Sequence, residues 1–456
     1  MRLSKLLRPT LGLALLAGCS DPPTLSIEVT TGHEEGSLKA DPAVAEVKIV
    51  GKSADGEVTR TATAKVGGSF DMGEVPDTSI MTFELTGTSA DGNVIARGRS
   101  VSVPVGAVDA DVLSLFIQRT GAFARPPGEL TRSHVHAPGG VVGERFLVAT
   151  GGDTAVGASG PADPAFGDYY DMLGLTGTES DASLPRAAKS LVVRDTTLFL
   201  IDDAGASSAV LDQAATQELS PPDGLTFADV SGGVAFDLPG GTTLVVGATR
   251  PEGPTAAVLA VDAVGTMTAL SLTTPRAGAA VAYVDGQGLV VAGGSADGAG
   301  VEVIGDDLSV RSLPFPADAT TGAAAVTFAQ NQLVLIGGRL AGAAAPTRVY
   351  ELTCAAACDP GTTFYQLVPA ADVPELAARG RAFAVTNAAL TIGETDAGET
   401  VAFRVSIGES TVTALPLREP RFGATPIPAP NGTLALVGGV TDVGSPVRSV
   451  EIFFPE

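Results

Sequence analysis

The sequence predicts an all-β protein, and three observations support this prediction. Apolar residues make up 45% of the chain and charged residues only 17%, while glycine (56) and proline (31) are abundant; such a composition favours short strands joined by turns. Apolar runs ending in two glycines recur along the chain as "LVATGG", "LVVAGG", "LVLIGG" and "LALVGG". Asp-Gly pairs separate several apolar runs, which is typical of β-hairpins. A chain of 456 residues exceeds one ordinary core, so we expect two domains or a repeat array.

The first residues have the pattern of an export signal. Three basic side chains within the first eight residues precede the apolar stretch Leu11–Gly18, which is too short to span a bilayer. The stretch ends in "LAGC", Leu16–Cys19, and this arrangement resembles the bacterial lipoprotein signal. The resemblance implies cleavage before Cys19, so that residues 1–18 are the signal peptide, and lipidation of Cys19. The alternative is an ordinary signal peptide that happens to contain a cysteine.

A lipidated chain would be anchored to a membrane rather than span it, because several acyl chains hold a protein stably. Residues 19–24 would form a short lipidated tether. Ser20 follows the cysteine, which by resemblance to the enteric sorting rule favours the outer membrane. We therefore expect a protein of the bacterial cell envelope, periplasmic or exposed on the surface, with the membrane as its first partner.

The charge of the chain excludes one class of partner. Without residues 1–18, which hold three basic and no acidic residues, the net charge of −23 becomes −26. Nucleic acid and anionic headgroups are repelled by such a field. We expect a monomer that binds no nucleic acid and needs no cofactor.

Residues 25–111 form a small β domain in our prediction. Short alternating segments such as "TLSIEVT", "AEVKIVGKS" and "MTFELTGTS" are interrupted by Asp-Gly pairs at 55–56 and 91–92, which predicts hairpins. About seven short strands in this length are typical of a β-sandwich, immunoglobulin-like or transthyretin-like. We expect it to be a spacer, although a ligand-binding sandwich is the alternative.

The rest of the chain is a repeat. Seven blocks align on the end of an apolar run, at intervals of 44 to 56 residues, the range expected of propeller blades. The clearest block runs from Thr274 to Pro314 and contains four short apolar segments separated by turns, which predicts a four-stranded antiparallel meander. The aligned positions are Gly151-Gly152, Asp202-Asp203, Gly247-Ala248, Gly293-Gly294, Gly337-Gly338, Gly393-Glu394 and Gly438-Gly439.

This pattern resembles kelch-type β-propellers. The resemblance is carried by the glycine pairs, by an arginine that opens most first strands, and by the third-strand segments "VEVI", "RVYEL" and "SVEIF". The sequence departs from the family in having no tryptophan. The fold class that we predict is a seven-bladed kelch-like β-propeller over residues 112–456, preceded by the small β-sandwich.

Two structural roles follow from this fold. Glycines at the end of the second strand permit positive φ and let neighbouring backbone approach closely. The last block stops after its third strand, so we expect a strand near residues 114–124 to supply the fourth and close the ring.

The five opening arginines have two interpretations. The first is that they tie adjacent blades together through hydrogen bonds to carbonyl groups. The second is that they form a ring of anion-binding groups. The residues are Arg132, Arg186, Arg276, Arg381 and Arg421.

Cys354 and Cys358 form the segment "CAAAC", and in an oxidising compartment we expect a local disulfide that pins a loop. Free thiols are the alternative. A zinc site would need four ligands, and the three histidines lie far upstream at positions 33, 134 and 136.

Catalytic motifs are scarce. The sequence contains no Gly-x-Ser-x-Gly elbow, P-loop or dinucleotide fingerprint. His134 and His136 would share one face of a strand near the central channel and could bind a metal together, although packing or hydrogen bonding is the simpler role. The copper oxidases of the kelch fold need tyrosine and histidine ligands together, and no matching motif surrounds Tyr169, Tyr170, Tyr283, Tyr350 or Tyr365. The three "SADG" segments at Ser53, Ser89 and Ser295 predict turns rather than calcium loops.

We therefore expect a non-enzymatic, membrane-anchored binding or scaffold module that recognises a protein or a glycan through its loops or its channel. The loops Asp153–Asp168 and Cys354–Gly361 are the first candidates for contact. The alternative is an exported sugar-active enzyme, an isomerase or oxidase, that uses the channel. That reading requires acid, base and basic groups to converge there.

Overall fold

The computed structural model describes residues 24–68, 70–76, 78–108, 112–153, 166–180, 183–210, 213, 215–328, 331–352, 364–366, 372–406 and 411–455. The predicted lipidation site Cys19 and the predicted disulfide Cys354–Cys358 lie outside these residues, as does most of the loop Asp153–Asp168. The described chain is nearly all β, which confirms the predicted all-β class. Its helical elements are short 3₁₀ turns, Ser37–Lys39, Val105–Ala107 and Phe227–Asp229. Among the described residues no helix is long and apolar enough to cross a membrane.

Two sheets form the N-terminal unit. The first consists of Thr24–Thr30 between Phe70–Glu74 and Val112–Phe116, the last of which pairs with it in parallel. The second places Val58–Ala64, Val44–Ser53, Ile80–Ser89, Val94–Arg99 and Gln118–Arg119 side by side, with Val103–Pro104 added beside Ile80–Ser89. Buried side chains of both sheets share one core. The likeness to a particular class of sandwich stays a prediction.

Seven four-stranded antiparallel sheets follow, which we number sheets 1 to 7 in chain order. Each coincides with one repeat block of the sequence. Sheet 1 contains Gly139–Val142, Phe146–Thr150, Gly167–Asp171 and Thr176–Glu179. Sheet 2 contains Ser190–Arg194, Thr197–Ile201, Ala206–Val210 and Thr216–Leu219. Sheet 3 contains Val234–Asp237, Thr243–Val246, Thr255–Val261 and Met267–Arg276. Sheet 4 contains Ala280–Val284, Gly288–Ala292, Val301–Ile304 and Val310–Ser312.

The remaining three sheets have the same strand order. Sheet 5 contains Ala324–Phe328, Gln332–Ile336, Arg348–Glu351 and Phe364–Gln366, with a small hairpin, Arg339–Leu340 and Ala343–Ala344, between its second and third strands. Sheet 6 contains Ala378–Val385, Ala388–Glu394, Thr400–Ser406 and Thr411–Ala414. Sheet 7 contains Thr425–Pro428, Leu434–Val437, Glu451–Phe453 and, from far upstream, Phe123–Ala124.

The sheets surround one axis. Seven clusters of buried apolar side chains each lie between two successive sheets, and the cluster that joins sheet 7 to sheet 1 closes the circle. The second strands are almost wholly buried because each sheet is covered on both faces by its neighbours. The first strands therefore surround the axis, and this arrangement is that of a β-propeller.

The fourth strand of sheet 7 differs from our expectation. We predicted one strand near residues 114–124, but only Phe123–Ala124 pairs with Glu451–Phe453. Val112–Phe116 and Gln118–Arg119 pair instead with the two N-terminal sheets. The predicted boundary at residue 111 therefore falls too early. Alternating apolar residues satisfy either sheet, and the sequence does not say which one they join.

The glycines that end the second strands have the predicted role. Gly293 and Gly294 have φ of 76° and 77°. A Cβ atom on Gly438, whose φ is 72°, would lie 2.3 Å from the carbonyl oxygen of His134. Left-handed backbone and close approach to a neighbouring segment both exclude side chains at these positions.

Candidate functional site

The structural arginines bind the sheet that follows them in the chain. Arg276, the last residue of the fourth strand of sheet 3, thereby ties two adjacent sheets, in agreement with the first interpretation. Arg276 donates to the carbonyl oxygens of Gly293, Ala299 and Gly300 and pairs with Glu302 at 2.9 Å. All four partners belong to the third strand of sheet 4 or to the loop that precedes it, so Arg276 joins sheet 3 to sheet 4. Arg421 repeats the arrangement in sheet 7 with Glu451 at 2.7 Å, and Arg186 in sheet 2 pairs with Asp202 at 2.9 Å.

In sheets 4 and 7 the carboxylate of this ion pair occupies the same register position, whereas Asp202 of sheet 2 lies at the aligned position itself. This position is the third-strand residue that pairs with the second-strand residue two places before the aligned glycine. Glu302 pairs with Val291, and Glu451 pairs with Leu436. Glu302 also accepts the backbone N–H of Thr273 at 2.7 Å. These hydrogen bonds and the guanidinium hold the pKa of the Glu302 carboxyl below its ordinary value although burial opposes them. The pair is a structural clamp of the fold.

Sheets 3, 5 and 6 hold other residues at the two clamp positions. In sheet 5 the charges exchange places, since Arg348 lies on the third strand and pairs with Asp318 at 2.6 Å. In sheet 3 the third-strand position holds Leu259. In sheet 6 the third-strand position holds Phe403. Leu376 takes the place of the arginine and is fully buried; it stands 17 residues before the aligned Gly393, as Arg276 stands 17 before Gly293. Apolar packing replaces the ion pair there.

A cavity occupies the axis of the ring. It measures about 570 Å³ and is lined by residues of the first strands of all seven sheets. We call it the channel. Pockets of roughly 300–1,000 Å³ are typical of sites for small ligands. Three further cavities do not lie on the axis: one is between the N-terminal unit and sheets 1 and 7, and two are on the N-terminal unit.

Charged side chains collect where the first strands begin. We call this group the charged end of the channel, and it contains His136, Lys189, Arg379, Arg381 and Glu394.

His136 is held between two carboxylates. Its Nδ1 lies 2.8 Å from Oδ2 of Asp153, and its Nε2 lies 2.9 Å from Oε1 of Glu394. Burial lowers the pKa of the imidazole and Arg379 opposes a second positive charge, but the two carboxylates outweigh them and the pKa of His136 is raised. His136 therefore joins sheet 1 to sheet 6, and the two carboxylates favour its protonated form.

The histidine prediction is only half correct. His136 lines the channel as expected, but His134 is 1% exposed, and its Nε2 lies 3.5 Å from Oδ2 of Asp168. The two rings therefore face different environments and share no site. Among the described residues no group of three or more His, Cys, Asp or Glu side chains is arranged to hold a metal.

Arg381 is the arginine that the sequence misplaced. It lies inside the first strand of sheet 6, opposite Ile392, rather than before that strand. Its side chain lines the channel, and no carboxylate among the described residues pairs with it, whereas Lys189 pairs with Asp203 at 2.6 Å and Arg379 lies 3.8 Å from Glu394. Burial, together with the neighbouring charge of Arg379, lowers the pKa of the Arg381 guanidinium to about 10.

Aromatic rings line the channel farther along the first strands. Phe236 of sheet 3 and Tyr283 of sheet 4 stack with their ring centroids 6.4 Å apart and their planes 19° from parallel. The Tyr283 hydroxyl donates to Asp306 at 3.2 Å. The channel therefore has a cationic region at one end of its strands and an apolar, aromatic region at the other. Sequence reasoning did not single out Phe236, Lys189, Arg379 or Glu394.

Comparison with known proteins gives similarity of fold at low sequence identity. The sequence matches no known protein family and no curated protein. Among solved structures the chain is similar to TolB from Acinetobacter baumannii, with 11% identity over 75% of this chain and 77% of that one and a TM-score of 0.36. It is also similar to a quinoprotein alcohol dehydrogenase-like protein from Bacteroides thetaiotaomicron, with 9% identity over 81% and 88% of the two chains and a TM-score of 0.39. The designed protein Ika8 matches with 13% identity over 73% and 100%, at a TM-score of 0.39.

Proposed function

We propose that this chain is a lipid-anchored binding protein of the bacterial envelope and that its recognition site is the channel. The observation that carries the proposal is the cavity of about 570 Å³ on the axis, with cationic groups at one end and stacked aromatic rings at the other. Ligand sites combine such an apolar wall with a few placed polar groups. A small ligand or the end of a glycan fits this description.

The charged end favours binding over catalysis. A sugar-active enzyme would use an acid and a base that are free to exchange protons with the substrate. Here both ring nitrogens of His136 face carboxylates, at 2.8 Å from Asp153 and 2.9 Å from Glu394. Because both ring nitrogens are engaged by carboxylates, neither is free to take a proton from a substrate, so the strongest candidate base contributes structure instead.

The membrane anchor is the second part of the proposal, and it rests on the "LAGC" motif that ends at Cys19. Several acyl chains would hold the protein on the membrane. We expect the wild-type protein to sediment with membranes and a Cys19→Ala variant to appear in the soluble fraction. Equal sedimentation of both proteins would contradict the anchor. In the same preparation, alkylation with and without reductant reports whether Cys354 and Cys358 form the proposed disulfide.

Blocking the channel tests the recognition site. Ala384 is an exposed residue that lines the channel, so Ala384→Trp places an indole in the cavity. Val264, 87% exposed in a turn of sheet 3, offers the matched control Val264→Trp. On an array of acidic and neutral glycans we expect binding by the wild type and by Val264→Trp, and loss of binding by Ala384→Trp.

Two outcomes would overturn the proposal. If Ala384→Trp binds the same glycans as the wild type, recognition does not use the channel. If nuclear magnetic resonance shows the wild type converting a bound sugar to an isomer, the protein is an enzyme.

A further inference from the structure

We infer that the channel selects ligands that carry an oxyanion, a carboxylate or a phosphate, and that Arg381 is the residue that binds it. This inference rests on the proposed function, because it names the ligand chemistry of the same cavity. It assigns one role to a residue that the fold itself does not use.

The register shows that Arg381 is an addition to the channel. It faces Ile392, the residue before the aligned Gly393. Small or apolar residues, none of them charged, occupy the same register position in five other sheets: Ser190, Val234, Ala280, Ala324 and Thr425. The channel wall therefore does not need a long cationic side chain at this position.

Arg381 is also not needed at the positions that form the clamp in sheets 4 and 7. Leu376 and Phe403 occupy the two clamp positions and are buried there. Arg276 and Arg421, by contrast, are fully buried and bind a carboxylate and backbone carbonyls. A structural explanation that accounts for those two arginines does not extend to Arg381.

One cationic side chain of the channel, Arg381, lacks a carboxylate partner among the described residues. Among the described residues His136, Lys189 and Arg379 each face a carboxylate, and Arg381 faces none. A cation that is partly removed from water is costly until a counter-charge joins it. The planar guanidinium fork binds a carboxylate or a phosphate through two parallel hydrogen bonds. In a chain of net charge −23, such an unpaired cation is a specific feature rather than part of a general basic surface.

The rest of the channel defines the body of the ligand. Tyr283 lies three residues farther along its strand than Ala280, the register equivalent of Arg381, which corresponds to about 10 Å at 3.3 Å per residue. A ligand with its anion at Arg381 therefore reaches the stacked pair of Phe236 and Tyr283 after about one or two sugar rings. Aromatic faces pack well against the apolar faces of such rings.

The test uses three probes on the mature full-length protein in detergent micelles. The probes are inorganic phosphate, glucuronate, and glucose as the uncharged match of glucuronate. Thermal unfolding is followed at constant ionic strength, with chloride replacing each anion, and binding is measured by calorimetry. We expect phosphate to raise the melting temperature of the wild type and glucuronate to bind at least tenfold more tightly than glucose.

Variants locate the effect. Arg381→Leu is expected to remove the phosphate-dependent shift and to weaken glucuronate binding at least tenfold, while Arg381→Lys retains part of both. The matched control is Arg404→Leu, which removes the same charge from the third strand of the same sheet, outside the channel lining, and is expected to behave as the wild type. A response to phosphate alone identifies a phosphate-bearing ligand, and a response to glucuronate identifies a carboxylate.

The inference is overturned if neither phosphate nor glucuronate acts differently on the wild type and Arg381→Leu. This failure is distinct from failure of the proposed function. If Ala384→Trp abolishes glycan binding but Arg381→Leu does not, the channel is the recognition site and it is indifferent to anions.

Discussion

Sheets 4 and 6 use an arginine in opposite ways. In sheet 4, Arg276 is 1% exposed and its guanidinium bonds to Glu302 and to three carbonyl oxygens. In sheet 6 the same two positions are apolar, and Arg381 lies instead in the channel without a described carboxylate. The comparison shows that one residue type close to the start of a blade can belong to the fold or to the site. The register decides which.

The largest expected effect comes from breaking the clamp of sheet 4. Glu302→Ala leaves the guanidinium of Arg276 buried without its carboxylate, which we expect to reduce the free energy of unfolding by about 3–5 kcal/mol. Urea unfolding measures the loss. The matched control is Arg448→Ala, which breaks an exposed pair with Glu129 and should cost less than about 1 kcal/mol.

Importing the apolar pair of sheet 6 sharpens this result. The double variant Arg276→Leu, Glu302→Phe should recover most of the stability lost by Glu302→Ala, because no buried charge is left. Since the folded-state pKa of Glu302 lies below its ordinary value of 4.5, its stabilisation is full above that value and is lost as the pH falls through the folded pKa. The wild type and the double variant should therefore converge on acidification. If the double variant recovers none of the lost stability, the ion pair itself stabilises this site and apolar packing does not replace it.

The second-largest effect concerns the second glycine of the aligned pair, which sheet 4 has as Gly294 and sheet 6 replaces with Glu394. Gly294 of sheet 4 has φ 77°, and a Cβ there would lie 2.7 Å from the carbonyl oxygen of Ala277. Gly294→Ala should cost about 2–4 kcal/mol in urea unfolding, through backbone strain and steric overlap together. Gly240→Ala separates the two causes, since Gly240 has φ 98° and open space around it; it should cost about 1–2 kcal/mol. Equal losses would show that overlap contributes nothing. Sheet 6 tolerates Glu394 at the equivalent place because its φ is not positive.

A smaller effect is the pH dependence of the bridge between sheets 1 and 6. Because the folded pKa of His136 is raised above 6.5, its contribution to stability is complete below that pH and disappears as the pH rises through the folded pKa. His136→Gln should be less stable than the wild type by about 0.5–1 kcal/mol at pH 5.5, and the difference should disappear as the pH rises through the folded pKa of His136. Unfolding curves across this range measure it. If the stability difference between the two proteins stays constant with pH, the raised pKa of His136 is contradicted.

The smallest expected effect is that of Arg381 itself. Arg381→Leu should change the free energy of unfolding by less than about 0.5 kcal/mol or raise it, because the side chain has no described partner to lose. The same substitution at Arg276, measured beside it, provides the contrast. A loss at Arg381 comparable to that at Arg276 would mean that both residues are structural and would end the distinction between the two sheets.

The fold was predictable from the sequence to the level of the sheets. The recurrence of the terminal glycines reflects a backbone requirement that only glycine meets, and this is why the blocks coincide with the sheets. Third strands such as Val301–Ile304 and Glu451–Phe453 were also predicted. The fourth strand of sheet 7 was not placed correctly, because residues 112–119 alternate in a way that fits either of two neighbouring sheets.

The site was much less predictable, and Arg381 shows why. Arg276 and Arg421 stand 17 residues before Gly293 and Gly438, but Arg381 stands only 12 before Gly393. That difference places it inside a strand and is visible in the sequence once the alignment is anchored on the glycine. Which first-strand side chains meet around the axis, such as His136 of sheet 1 and Glu394 of sheet 6, depends on the closed ring and has no local signal.

The pairing of Phe123–Ala124 with Glu451–Phe453 joins the two extremes of the propeller. During biosynthesis Phe123–Ala124 cannot pair until Glu451–Phe453 has been synthesised. Contacts between such distant segments form slowly. Until then two strand edges remain open to proteases and to other chains. A product that ends before Glu451 would keep both edges exposed, so completion of the ring and protection of its edges are one event.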